Sequence, residues 1–342
     1  MANFIYPSNY TLSLIEREKV PVLTMDDPAF EIMPIRNVDS HIVSWEQKDN
    51  MKGLMQVRGI NGQPGRVQNV GGKRFNMAPG VYGEYMDIDE QTLLERRPFG
   101  VADGTPITID DLVMEKQDLL INRRIDRIRQ IVWTLLSTGT FSVTNANGSV
   151  VHTDTYPAQT FTASPSSTQW RNPTTGTPLA HFRAVKLLAR GKGVSFGARA
   201  KAYISQVTAN YLFANTNATD IGGKRTTGLA NVLGLEETNA LLLKEDLPQL
   251  VIYDDGYVDD NDTYQPFIAD NVAVVVGARQ SGSLVGEFIM TRNASDPNMA
   301  PGPYQKVIDN VEDDAVRNLQ VYDGFNGGPA LYYPSAVVIM NV

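Results

Sequence analysis

Between Asp110 and Ser137 the apolar residues Ile121, Ile125, Ile128, Val132 and Leu135 recur at steps of four, three, four and three. That spacing draws one stripe along an α-helix. Thr108 and Asp111 have the spacing of a capping box, and Gly139 supplies a stop signal. At 1.5 Å per residue the helix is expected to run about 40 Å. Arg123, Arg124, Arg127 and Arg129 fall off the stripe, with Asp126 in reach of Arg123 or Arg129.

Elsewhere the period falls to two. From Leu247 to Gly277, LPQLVIYDDGYVDDNDTYQPFIADNVAVVVG reads as strand, acidic turn, strand, short turn, strand. The unbroken VAVVV suits a strand buried on both faces. MKGLMQVRGI alternates from Met51 and YMDID alternates on the return, with a Gly- and Asn-rich stretch between them. Together they predict a long two-stranded ribbon with an extended tip. A lone ribbon is marginally stable in water, so something outside it must support it. FSVTNANGSVVHTDTY predicts a hairpin turning at Asn-Gly, and LAHFRAVKLLARGKG a helix stopped by its glycines. Ala200–Asn215 reads as a helix or a strand and helix. RNLQVYDGFNGGPALYYPSAVVIMNV predicts two strands around a Gly-rich turn. Pro7, Pro21, Pro28 and Pro34 favour an extended arm over residues 1 to about 45.

Composition narrows the function classes. The chain has 342 residues, 42% apolar and 20% charged, enough for a sizeable core and two or three domains. A net charge of −8 argues against a protein built to neutralise phosphates. With no cysteine, disulfides, thiolate nucleophiles and Cys-ligated zinc all drop out. The N-terminus lacks a signal-peptide pattern and no apolar run reaches membrane-spanning length, so a soluble protein used without export is expected. Charge is also segregated along the chain. Met51 to Gly83 holds Lys52, Arg58, Arg66, Lys73 and Arg74 and no acid, whereas Glu245 to Asp262 holds seven acids and no base. Such segregation can steer and register an interface.

Chemistry is harder to find. Asp254, Asp255, Asp259, Asp260 and Asp262 crowd one loop, but Gly256 is misplaced for a calcium loop and no closing Glu follows. His41, His152 and His181 stand alone, outside HExxH or HxH patterns. GARQSGSLVG carries Ser281 without the glycine of a nucleophile elbow, there is no P-loop, and the glycines at 59, 62, 65, 71 and 72 are not a dinucleotide fingerprint. No catalytic site, metal or cofactor is expected. Two alternatives stay open: a cytoplasmic enzyme with an acidic site in the 254–262 loop, and a binding module using exposed Tyr253, Tyr257 and Tyr264.

The chain resembles the phage major capsid protein E family, whose subunits have the Hong Kong 97-type capsid fold. The carriers are VIYDDGYVDDNDTYQPFIADNVAVVVG, the Trp170 segment TQWRNPTTGTPLAHF, the closing QVYDGFNGGPALYYPSAVVIMNV, and ERRPFG before the Asp110 helix. The resemblance implies an α+β fold with an N-terminal arm (1–45) and an extended β-ribbon loop (46–92). It further implies a peripheral domain (93–164 and 316–342) with a spine helix at 110–137, and an axial domain (165–315) around the capsomer centre. It implies a tailed-phage shell subunit: hexamers and pentamers of itself close an icosahedral virion capsid around double-stranded DNA, with no membrane. Scaffold, portal and decoration proteins are its expected partners, and assembly is expected in the host cytoplasm. Some relatives of the fold join subunits by a lysine–asparagine bond, but neither Lys52 nor Lys73 matches that chemistry, so no cross-link is expected. The expected contacts between subunits involve Lys52, Arg58, Arg66, Lys73, Arg74, Asp110, Asp111 and Glu115, with Arg66, Lys73 and Arg74 meeting acids of a neighbour, either Asp110, Asp111 and Glu115 or the run Asp309–Asp314.

Overall fold

The computed structural model describes residues 27–48, 53–55, 57–90, 93, 108–144, 149–215, 234–279, 282, 284–296, 298–309 and 318–342. Residues 1–26, ERRPFG, the Asn147–Gly148 turn, Lys52, Ser281 and most of the 309–314 run lie outside them.

One helix organises the rest. Ile109–Thr138 spans 30 residues, about 45 Å. The Thr108 side chain accepts from the Asp111 amide while Asp111 reaches back to the Thr108 amide, and Gly139 closes the helix at φ 73 in the left-handed region. All five residues of the apolar stripe are buried. The N-terminal half, through Leu112, Val113 and Leu120, packs with Ile88, Leu319 and Val321. The C-terminal half enters the main core, where Trp133 meets Tyr203 at 5.2 Å and Tyr253 at 4.8 Å between ring centres. Arg124 departs from the pattern. It is buried, and its Nη1 lies 2.8 Å from Asp323, which also accepts from Gln305 at 2.8 Å. Asp126 reaches Arg129, as expected, while Arg123 turns to Glu84 instead.

Two five-stranded sheets lie along this helix. The first is built on Leu319–Leu331, flanked on one side by Gly80–Ile88 and on the other by Tyr304–Asp309 and Gly286–Thr291, with Ile35–Asn37 parallel at the edge. The second runs Gln249–Ile252, Lys201–Ile204, Val272–Val276, Val337–Asn341, Gln159–Thr162. VAVVV sits at its centre with Ala273, Val274 and Val275 buried, as its unbroken apolar run predicts. The helices Pro178–Leu188, Gln206–Phe213 and Leu235–Lys244 accompany this sheet.

Four sequence expectations need correction. The described part of the expected arm, from Asp27, is not an extended segment: Pro28 opens the helix Pro28–Ile32, Phe30 and Met33 sit in the main core, and Ile35–Asn37 pairs with Gly286–Thr291. The Gly-rich FNGGPAL is not a turn but the middle of the 13-residue strand Leu319–Leu331, and the chain turns later, at Pro334–Ala336. Its glycines answer a packing need. A Cβ on Gly324 would stand 2.5 Å from the Tyr82 carbonyl oxygen, and one on Gly327 would stand 2.7 Å from that of Ile289. The ribbon pairs Val43–Lys48 with Gly72–Met77, on either side of the alternating MKGLMQVRGI and not through it, and YMDID belongs to Gly80–Ile88, paired with the strand Leu319–Leu331 near the far end of the chain. Finally, the two closing strands part: Leu319–Leu331 lies in the first sheet and Val337–Asn341 in the second.

Candidate functional site

The ribbon is anchored at its base and unpartnered at its tip. Trp45 stacks on Phe75 across the ribbon at 5.8 Å and on Tyr156 at 6.2 Å, and meets Tyr332 edge-on at 5.4 Å. Arg74 donates to Ser44 across the same pair of strands at 3.2 Å. Beyond Gly72 the described tip residues form no strand. There Leu54, Met55, Val57 and Ile60 are each at least 95% exposed. Burying side chains of this kind recovers about 1.5–3 kcal/mol each, so four left in water within one tip are a strong incentive to bind something. Arg58 folds back to donate to the Gly62 carbonyl at 3.1 Å, where Asn61 takes a positive φ of 68. Arg66 and Lys73 are exposed.

The acids expected to face these bases sit at the start of the long helix. Asp110, Asp111 and Glu115 are all exposed. Asp111 is already engaged: its Oδ2 accepts from the Thr108 hydroxyl at 2.7 Å and amide at 3.1 Å, and those bonds hold its carboxyl below the ordinary range. Within one chain, bases and acids are not brought together by any described ion pair.

The acidic loop is a hairpin, Gly256–Val258 against Tyr264–Pro266, forming its own two-stranded sheet and not part of a larger one. Asp259 closes the tip by accepting from the amides of Asn261 and Thr263, both at 2.9 Å, and from Gln265 at 3.1 Å. These bonds hold its carboxyl low. The hairpin leans over the polar flank of the long helix, where Gln130 donates to the Tyr257 hydroxyl at 3.1 Å. Between them runs a groove of about 910 Å³, one wall formed by Tyr82, Glu84, Arg123 and Arg127 and the other by Tyr257 to Asp260. Glu84 takes Arg123 in a two-pronged pair at 2.6 and 3.0 Å, and Arg127 lies 5.2 Å over the Tyr82 ring. Nothing local announces this groove in the sequence, because its walls come from segments far apart in the chain.

A second feature missed by the sequence is a clasp where the chain leaves residue 26. Asp27 caps the short helix Pro28–Ile32, accepts from the Tyr253 hydroxyl at 3.1 Å and pairs with Arg129 of the long helix. Tyr253 is therefore buried and Tyr257 half-buried, leaving only Tyr264 of the three tyrosines on the surface. His181 is buried and bonded to Trp170, His152 bonds the Ala78 carbonyl at 2.9 Å, and His41 is exposed on a separate segment. Among the described residues no group of three or more His, Asp or Glu could hold a metal ion, and no helix is long and apolar enough to cross a membrane.

Comparison of folds defines the class. A prophage protein of Escherichia coli CFT073, assigned as its capsid protein, superposes with a TM-score of 0.63 at 12% identity, covering 99% of each chain. A phage-related protein of Bordetella bronchiseptica RB50 gives 0.55 at 10% identity over 100% of this chain and 98% of that one. The capsid of cyanophage P-SCSP1u gives 0.50 at 9% identity over 91% and 87%. The fold is thus that of phage capsid subunits, α+β as the resemblance implied. The family model for phage major capsid protein E matches residues 18–322, and the chain belongs to that family. It is a major capsid protein, a structural component of the virion shell. A search of curated protein sequences finds no match.

Proposed function

We propose that the subunit assembles by laying its ribbon on a neighbouring copy, so that hexamers and pentamers close an icosahedral shell in the host cytoplasm around double-stranded DNA. The observation that carries this is the ribbon itself: a base fixed by an aromatic cluster, and a tip whose apolar side chains touch nothing in their own subunit. One chain type with such an extension reaches closure through symmetric repetition of the same contact. On this reading the first sheet and the spine helix form the peripheral domain, which takes in Gly286–Thr291 and Tyr304–Asp309 from the stretch expected to be axial. The second sheet forms the axial domain, which takes in Gln159–Thr162 and Val337–Asn341 from the stretches expected to be peripheral. Scaffold, portal and decoration proteins are partners by family resemblance. The acidic-site alternatives gain no support from the hairpin, whose Asp259 serves its own turn.

The cationic side chains on the ribbon add register. A single exposed pair is worth below about 1 kcal/mol, but the contact recurs throughout a shell. The combined variant Arg66→Glu, Lys73→Glu and Arg74→Glu is expected to stay folded by circular dichroism and to lose shells in negative-stain microscopy and size-exclusion chromatography. Normal shells from that variant overturn the charge role. A wild-type chain that stays monomeric in the presence of the phage's other assembly proteins overturns the assembly reading itself.

A further inference from the structure

We propose that the groove between the spine helix and the acidic hairpin is the seat of the ribbon tip of a second copy. This rests on the assembly reading above and names the receiving surface that it leaves open. Both sides of the contact are unpartnered in the single chain. The tip offers exposed Val57 and Ile60, with Arg58 and Arg66 in a stretch that has no acid from Met51 to Gly83. The groove offers a matching mixture: Val81, Val258 and Tyr264 line it and are all more than a third exposed, beside Asp259 and Asp260.

Charge decides the polarity of the fit. The arginines on the helix wall are outweighed: Arg123 pairs with Glu84 and Arg124 with Asp323, and Arg127, which keeps its charge beside Tyr82 and Gln130, is offset by Asp126, Asp259 and Asp260 in the same lining. The opposite wall keeps its carboxylates. Asp259 spends its oxygens on amide donors, which leave its negative charge in place, and Asp260 stands beside it at the exposed hairpin tip. A guest that carries apolar and basic side chains together therefore fits a groove lined by exposed apolar residues and carboxylates.

The chain's lack of cysteine makes a clean test possible. Particles assembled from an Ile60→Cys, Val258→Cys chain are treated with a short bismaleimide and run on a denaturing gel, beside each single-cysteine chain. Arg66→Cys with Asp260→Cys is the second pair, in case the first does not assemble. The expected result is a ladder of covalent multimers from a double-cysteine chain and none from the singles. Shells that form but give no ladder, or give only an internally linked monomer, overturn the seat and leave the assembly reading standing. So does a ladder that appears when Ile60→Cys is combined with Met114→Cys, a reporter at the spine's start, and not with Val258→Cys. A wild-type chain that forms no particles overturns the seat together with the reading on which it rests.

Discussion

Two buried polar groups show how single residues hold this subunit together. Asp323 and Arg124 are almost fully buried, and burial pushes the Asp323 carboxyl up while Arg124 and Gln305 pull it back. Such a pair contributes little net stability, yet losing one member strands a charge in the core. The other group is His181. Its Nδ1 accepts from the Trp170 indole at 3.1 Å, so Nε2 carries the proton and faces the Thr177 hydroxyl at 3.2 Å. Burial lowers its pKa from 6.5. A histidine that resists protonation only when folded contributes stability that is complete above pH 6.5. That stability falls as pH drops toward the depressed folded value. The melting temperature of the subunit is therefore expected to decline as pH is lowered below 6.5, and His181→Gln should flatten the decline in that window. Equal slopes in the two chains would show that His181 takes no part. Neither role could be read from the sequence, where Arg124 looks like one more helix-surface arginine and His181 like an isolated histidine. Their partners lie in other segments.

Among the elements, the spine helix was legible in full because everything that specifies it is local: stripe, capping box and terminal glycine fall within one window. VAVVV was legible for the same reason. The strand Leu319–Leu331 was not. Three glycines and a proline within it match a turn by composition, and their purpose appears only when neighbouring strands press against them. Gly324→Ala is accordingly expected to destabilise the subunit by about 2 kcal/mol through overpacking against Tyr82 and Tyr304, measured by denaturant unfolding. An unchanged midpoint would mean the strand can shift to make room. The ribbon's strands were displaced for a related reason. Alternation is visible in MKGLMQVRGI, but Trp45 and Phe75 decide where pairing occurs by stacking on Tyr156 and Tyr332, which no local pattern discloses.

At the scale of the molecule, the same chain holds a large core around both sheets and a tip with no core of its own. That division of labour was legible as a ribbon needing outside support, and the charge segregation as a reason to look for an interface. The groove was not legible, since it is assembled from strand, helix and hairpin. Replacing Val57 and Ile60 with aspartate should leave the fold intact, because neither side chain touches it, and abolish shell formation as seen in negative stain. Shells of normal number would show that the apolar tip is dispensable.

The pairing of Gly80–Ile88 with Leu319–Leu331 has a mechanical consequence. The ribbon's second strand runs through Ala78 and Pro79 directly into Gly80–Ile88, which is held by nine residue pairs from Leu319↔Ile88 to Gly327↔Gly80. Ladder bonds in such a sheet lie perpendicular to the strands. A pull on the ribbon along its axis therefore loads all the bonds in shear at once, instead of peeling them one after another. Internal pressure that strains a shell would reach the body of each subunit through the longest of its described strand pairings, with Leu319–Leu331 as the rivet.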